Sequence, residues 1–390
     1  MAEWKDYTVA DVISTVIDYR GKTPKKLGGD WSASGYRALS AKNIKMGKIV
    51  QDDSIRYVSE EMYKKWMKEE IQKEDILITS EAPFGQIYYW DSDEKIVLSQ
   101  RLFAIRVNQS FYPKYIYFYM TSAYFQAELD GRATGTTVVG LRQPELLKCK
   151  ILAPEYQEQK KIADTLWCLE QKINSNEKIN DNLAALLQTI YQQEFGDVDS
   201  AFEEGKLSDI CSYSKDRIAV SSLDVWSYYS TENMLPGKLG ATEATNLPTT
   251  TQTTACHVGD TLISNIRPYF KKIVYCQREC GCSTDVLCFT PFHANYSAYL
   301  FSTLYSDSFF NFMVAGSKGT KMPRGDKQQI MTYPVALPSN DELNTFNSAA
   351  FPILAQIHSN QIENESLSTL RDNLLPKFMS GEIDVSSVKL

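Results

Sequence analysis

Between residues 155 and 198 apolar residues return in steps of four and three. Ile162, Leu166, Leu169, Ile173, Asn176, Asn180, Leu183, Leu187 and Ile190 mark one edge of an otherwise polar segment. A repeat of about 3.5 residues is the seam of a coiled coil, so the pattern predicts one long helix with a single sticky edge. Shifted by 184 positions, the stripe returns as Phe346, Ala350, Ile353, Ile357, Asn360, Asn364, Leu367, Arg371 and Leu374, with one charged lapse. Both stripes carry two asparagines at their centre. An asparagine facing a hydrophobe across a seam would leave its amide unsatisfied, so these residues set register. Antiparallel pairing about the common centre places Asn176 against Asn364 and Asn180 against Asn360, since both pairs of numbers sum to 540. Pro352 lacks an amide donor and crowds the turn before it. The continuous part of the second helix is therefore expected to kink or begin near Pro352, and to stop before Pro376.

The same offset runs through the rest of the chain. Ser99 and Ser283, Gly135-Thr136 and Gly319-Thr320, and Pro154 and Pro338 are each 184 residues apart, and Asp75-Ile76-Leu77-Ile78 matches Asp260-Thr261-Leu262-Ile263 at 185. A repeat this long is a duplicated domain with its connector, since solenoid repeats run at roughly 20 to 50 residues. In the first copy, β-rich runs (Asp75 to Thr79, Gln86 to Trp90, Ile96 to Val107) alternate with turns such as Ala82-Pro83-Phe84-Gly85. A helical stretch follows from Tyr112 to Leu129. Its aromatics Tyr112, Tyr115, Tyr117, Phe118, Tyr119, Tyr124 and Phe125 have helical spacing and read as core, like Tyr296, Tyr299, Phe301, Tyr305 and Phe309 in the second copy. The predicted fold class is mixed α/β (α+β), in two copies. Residues 1–154 and 199–338 are the two domains, and 155–198 and 339–390 are the long helical segments.

The 390 residues hold 41 Lys and Arg against 48 Asp and Glu, a net charge of −7, which disfavours bulk coating of nucleic acid but permits local basic loops. No run of about 18 to 20 apolar residues exists and the first residues lack a signal-peptide pattern, so a cytoplasmic protein without membrane contact is expected. Eight cysteines are too dilute for a disulfide scaffold. Catalytic motifs are missing. Gly21-Lys22-Thr23 has Val16 where a phosphate-binding loop requires glycine, no Pro-Pro exists for an amino-methyltransferase motif, and His257, His293 and His358 sit in no nucleophile setting. Cys276, Cys280, Cys282 and Cys288, with Cys256-His257 upstream, lack the usual zinc spacing. They read as a hairpin with buried thiols, so no metal is assigned.

Phosphate favours Arg, Lys and close backbone amides, while base edges favour Arg, Asn, Gln, Ser and Thr. Four loops offer such groups. The candidate DNA contacts are Arg20, Lys22, Thr23, Lys25 and Lys26 in the first loop, and Arg132, Thr134, Thr136, Thr137 and Arg142 in the second. In the other half they are Arg267, Tyr269, Lys271 and Lys272, then Lys318, Thr320, Lys321 and Arg324. The second and fourth loops occupy equivalent places in the duplicated frame.

The order of these parts resembles the specificity (S) subunit of type I DNA restriction-modification systems. The resemblance rests on Gly21-Lys22-Thr23-Pro24, Ala41-Lys42-Asn43-Ile44, the pre-helix phrase from Ile151 to Ile162 and the ending from Leu374 to Val385. Ser339 to Leu343 and Lys206 to Ile210 depart from the pattern. The resemblance implies two target recognition domains, each reading one half of a split, asymmetric target in double-stranded DNA. It implies helices that pair as an antiparallel coiled coil and dock two modification subunits. The chain itself would be non-catalytic and cofactor-free. S-adenosylmethionine would belong to the modification subunit, and ATP and Mg to restriction subunits in systems that have them. A helix of about 30 residues is about 45 Å long, so the half-sites would lie about one turn of DNA apart. The alternatives are a non-catalytic coiled-coil scaffold or protein-binding module, disfavoured by the acid-poor loops, and a stand-alone DNA-modifying enzyme, disfavoured by the missing motifs.

Overall fold

The computed structural model describes residues 4–135, 139–196 and 203–383. The chain divides into two units: Met1–Ile173 with Glu365–Leu390, and Asn174–Asn364.

At the centre of the first unit is a four-stranded antiparallel sheet in the order Ile13–Asp18, Leu102–Val107, Ile76–Thr79, Ile87–Tyr89. Its inner strands are apolar at successive positions because both faces are covered. Alternate side chains of a strand point to opposite faces. Ile76, Ile78, Phe103 and Ile105 therefore enter one core with Tyr115, Phe118 and Phe125, while Leu77, Leu102 and Ala104 enter a second with Trp66 and Trp90. The second core is closed by a small sheet of Arg56–Val58, Tyr36–Leu39 and Val97–Leu98.

The aromatic stretch from Tyr112 to Leu129 is two helices, not one. Pro113–Thr121 and Ala123–Arg132 are separated at Ser122, whose backbone is extended and whose Oγ accepts the Phe125 amide. Such a cap satisfies one orphan amide of the second helix and is worth about 1 kcal/mol. Five of the seven aromatics are buried; Tyr112 is half-buried, and Tyr124, expected in the core, is 53% exposed because the break at Ser122 resets the helical phase.

The second unit repeats this plan. Its central sheet runs Cys211–Tyr213, Val286–Pro291, Thr261–Ser264, Ile273–Tyr275, also antiparallel throughout. Helices Ser297–Tyr305 and Asp307–Ala315 break at Ser306, 184 positions after Ser122, and Ser306 Oγ again accepts an amide, that of Phe309. The accessory sheet differs, having four strands: Arg217–Ala219, Gln252–Cys256, Cys280–Cys282 and Tyr228–Tyr229.

Two 40-residue helices, Tyr156–Phe195 and Asn340–Met379, each contribute to both units. The second helix corrects the expectation built on its prolines. It starts at Asn340 and runs through Pro352 and Pro376 without an end at either. Ser339 and Glu342 form the reciprocal box that starts it: the Ser339 amide donates to Glu342 at 2.7 Å, and the Glu342 amide to Ser339 Oγ at 3.4 Å. The carbonyls that the two prolines leave without helical donors belong to Ser348 and Asp372, both on exposed positions where water serves instead. Buried Phe346, Ala350 and Leu354 hold the helix on either side of Pro352.

Every seam position of both helices is buried or half-buried. In the first unit Trp167 packs edge-on to Tyr89 at 5.1 Å, and Arg371, the charged lapse, pairs with Glu170 at 2.8 Å. Phe195 packs against Tyr299 and Phe346 at 4.9 and 5.3 Å in the second. Also in that unit, Asn176 Nδ2 donates to Asn364 Oδ1 at 2.8 Å and to Glu363 at 2.8 Å, and Asn360 Nδ2 donates to Asn180 Oδ1 at 2.8 Å.

Leaving one amide facing an aliphatic side chain forfeits its hydrogen bond and its desolvation, whereas replacing both partners need not. Asn360→Leu is expected to destabilise the chain by about 1 to 3 kcal/mol, and Asn180→Leu/Asn360→Leu to recover most of that loss, as read from urea unfolding.

Candidate nucleic-acid interface

The first two basic loops are brought together by the strand ends that carry them. Arg20 follows directly from the strand Ile13–Asp18; its guanidinium grips Asp18 at 2.5 to 3.0 Å and donates through Nη1 to the Leu141 carbonyl at 3.3 Å. The loop after Arg132 is closed by two backbone hydrogen bonds, Thr134 amide to Gly140 and Gly140 amide to Thr134. It is then pinned to the central sheet by the Leu141 amide, which donates to the Ser80 carbonyl at 2.9 Å.

Between the loops lies a cleft of about 970 Å³. Arg20, Thr23, Lys26, Thr134 and Arg142, which are among the DNA-contact candidates named from sequence, line it. So do Gln100, Arg101 and Gln143, which sequence reasoning missed, and Ser80, Asp18 and Glu81. Arg101 sits in a turn between two strands with φ of 61°, a left-handed conformation uncommon for a residue with a side chain. Ser80 holds it there, donating both its amide and its hydroxyl to the Arg101 carbonyl, while Arg101 Nε pairs with Glu81 at 2.7 Å. The turn follows Ser99, one of the repeated positions, and that was the available signal. Arg20, Lys26, Arg101 and Arg142 against Asp18 and Glu81 leave four positive and two negative groups, a formal charge of +2 (4 − 2).

Other candidates are engaged elsewhere. Lys22 donates to the Trp66 carbonyl at 2.9 Å and lies over the Tyr19 ring; burial pushes its ammonium below the ordinary lysine value. Arg132 pairs with Glu128 at 2.8 Å and Glu145 at 3.6 Å. Lys25 is exposed and does not line the cleft; Thr136 and Thr137 lie outside the described residues.

The second unit repeats the frame with different groups in it. The amides and carbonyls of Lys318 and Arg324 exchange two hydrogen bonds of 2.9 Å, at positions 184 beyond Thr134 and Gly140. Gly325 then donates to the Asn265 carbonyl, as Leu141 does to Ser80, and Asn265 donates to the Asp285 carbonyl, as Ser80 does to Arg101. Asp285 thus replaces Arg101 and pairs with Arg324 at 2.9 Å. Lys318 pairs with Asp326, Lys271 with Asp307, and Lys272 donates to the Thr231 carbonyl. Burial lowers the Lys272 ammonium from its ordinary value. Arg267 and Lys321 form no ion pair among the described residues, and Thr320 and Tyr269 are exposed.

A family model described as type I restriction modification DNA specificity domain matches residues 1–185. Those residues are similar to a type I restriction-modification DNA specificity domain. Over 185 residues the chain is 26% identical to the type I restriction enzyme MjaVIII specificity subunit of Methanocaldococcus jannaschii, covering 46% of this chain. The match spans 43% of that relative, less than half its length. The fold extends further. The S subunit of a type I restriction-modification system from M. genitalium aligns over 97% of this chain and 96% of its own, at 16% identity and a TM-score of 0.59. The HsdS subunit from Thermoanaerobacter tengcongensis aligns over 97% of each chain at 15% identity, with a TM-score of 0.36.

Elsewhere, five cysteines of the second unit lie in strands and turns around one small core. Cys256, Cys276, Cys280, Cys282 and Cys288 are all buried free thiols, with the sulfurs of Cys276 and Cys280 3.6 Å apart. Among the described residues no three His, Cys, Asp or Glu side chains are arranged to hold a metal, and no helix is long and apolar enough to cross a membrane.

A cation that meets phosphate releases condensed counterions, so each such contact steepens the salt dependence of binding. Arg142→Ala is expected to lower the slope of log affinity against log salt by about 1, measured by anisotropy of a labelled duplex bound to the assembled complex. Arg132→Ala, which removes a cation already held by two carboxylates, should change that slope less.

Proposed function

We propose that this chain is the sequence-reading subunit of a type I restriction-modification complex, with each unit reading one half of a split, asymmetric DNA target. The observation that carries the reading is the duplicated loop. The same two backbone hydrogen bonds close Thr134–Gly140 and Lys318–Arg324, and the same strand end pins each loop, in a chain whose first half matches the DNA specificity domain. Frame and loop divide the work. A shared frame delivers each loop to DNA in the same way, while different side chains on it, Arg101 against Asp285, select different bases. Two different half-sites follow from two different loop sets.

In this reading the two long helices pair as an antiparallel coiled coil and act as the ruler between half-sites. The partners Asn176 with Asn364 and Asn180 with Asn360 support it, since the numbers fall on one helix as they rise on the other. The paired helices also dock two modification subunits, which methylate adenine with S-adenosylmethionine. Restriction subunits, in systems that carry them, bring ATP and Mg. The chain's own chemistry is limited to binding and orienting DNA, and its place is the cytoplasm with the DNA it reads.

Single-molecule methylome sequencing of a host carrying the modification subunit, with and without this chain, tests the assignment. A split, asymmetric adenine-methylated motif is expected only when the chain is present; an unchanged methylome beside a stable complex would reject it. Deleting one heptad from each long helix shortens a helix by about 10 Å, the length of about three base pairs. The gap between half-sites should shrink accordingly while both half-sites stay the same.

A further inference from the structure

The central hairpin turn is not equivalent in the two units. In the first it covers residues 80–86, between strands Ile76–Thr79 and Ile87–Tyr89, and its aromatic, Phe84, packs against the core. In the second it covers residues 265–272, between Thr261–Ser264 and Ile273–Tyr275, and is one residue longer. Its aromatics face out: Tyr269 is 50% and Phe270 39% exposed, their rings 4.8 Å apart, and Met322 on the adjoining loop is 50% exposed.

This apolar tip is held rigidly. Arg267 and Lys271, which bracket the short turn Pro268–Phe270, have φ of 50° and 51°, both in the left-handed region. Such strain survives only where the surroundings impose it, and it gathers at functional sites. Here the Arg267 amide donates to the Pro323 carbonyl at 2.8 Å, Gly237 to Phe270 at 2.8 Å and Lys238 to Lys271 at 2.9 Å. Lys238 and Lys271 also share Asp307 at 2.7 and 2.9 Å. Three loops are thereby stitched under two exposed rings. The turn and the loop beside it carry six cations between residues 266–272 and 318–325; Lys271, Lys318 and Arg324 are paired with Asp307, Asp326 and Asp285, while Arg267 and Lys321 form no ion pair among the described residues. A rigid exposed aromatic inside a basic rim matches a polyanion that also offers apolar faces, and that is stacked bases behind phosphate. Side chains of this kind enter base steps, partly unstack them and kink the duplex.

We propose that Tyr269 and Phe270, with Met322 beside them, form a wedge that inserts at a base step of the half-site read by the second unit. The proposal rests on the DNA-reading function above and adds a mode of reading to it. Among the described residues the turn of the first unit has no equivalent, since Phe84 packs against the core. The second half-site is therefore chosen partly by how readily a step opens, which favours a flexible pyrimidine–purine step.

The test uses the full chain assembled with its modification subunit and a duplex carrying the methylated motif, with 2-aminopurine placed at one adenine at a time across both half-sites. Apart from the two adenines that the modification subunits flip out for methylation, fluorescence is expected to rise at one step in one half-site only. Tyr269→Ala/Phe270→Ala should abolish that rise and weaken binding by about 5- to 150-fold, with the salt slope unchanged because no charge is lost. Tyr269→Phe should keep both signals. Arg267→Gln/Lys321→Gln should do the reverse, lowering the salt slope while leaving the fluorescence rise. Both rings are exposed, so the melting temperature should not move. Wild-type fluorescence and affinity in the double alanine variant would overturn the wedge and leave the DNA-reading function standing. A wild-type complex that does not bind the duplex would overturn both.

Discussion

A primary amide cannot lie in an apolar seam without a partner, and that constraint organises the helical part of this protein. Asn176 is 1% and Asn360 6% exposed, so each must find its hydrogen bonds in protein. Each finds one on an asparagine of the other helix. Sliding either helix by one heptad would set Asn360 against Leu187 or Ile173, and Asn176 against Arg371 or Ile357. The cost of that slip, on the order of 1 to 3 kcal/mol for each orphaned amide, is what makes one register preferred over its neighbours. Seam packing alone would discriminate less, because most other seam positions are Leu or Ile, which have nearly equal volumes.

The reading surfaces show a second use of buried polar groups. The loops are closed by backbone hydrogen bonds. Backbone amides also fasten them to the ends of the central sheet, which leaves side chains at positions such as Arg142 and Lys321 exposed for contact. Where a side chain does hold the frame, as Arg20 does through Asp18 and the Leu141 carbonyl, its charge is already partly answered. Neighbouring acids compensate Arg132, Lys318 and Arg324 in the same way. Such loops favour positioning over bulk attraction, consistent with a chain that is acidic overall.

Differences between the copies lie where function would need them. Central sheet, helix break and loop closure are common to both units. The accessory sheet, the residue opposite the loop closure and the length of the hairpin turn are not. Duplication keeps a scaffold whose core tolerates little change, while its turns, free of packing constraints, diverge.

Periodicity is a local property, and what it carries was legible in the sequence. The helical seam, the asparagine partners that sum to 540, the aromatic core and the duplicated frame can all be read by counting residues. Which charges remain available could not be read, because Glu81 beside Arg101, Asp285 beside Arg324 and the Trp66 carbonyl that accepts from Lys22 are contacts between distant segments. Nor could the course of the second helix. Pro352 and Pro376 are helix breakers by local rule, yet the carbonyls they strand face water while Phe346, Ala350, Phe378 and Met379 are buried, and that burial decides the outcome. Sequence alone determined the repeating architecture, since it depends on residue spacing. Tertiary structure decided which loops meet, which cations are spent and which aromatics face outward, since those depend on segments that only folding brings together.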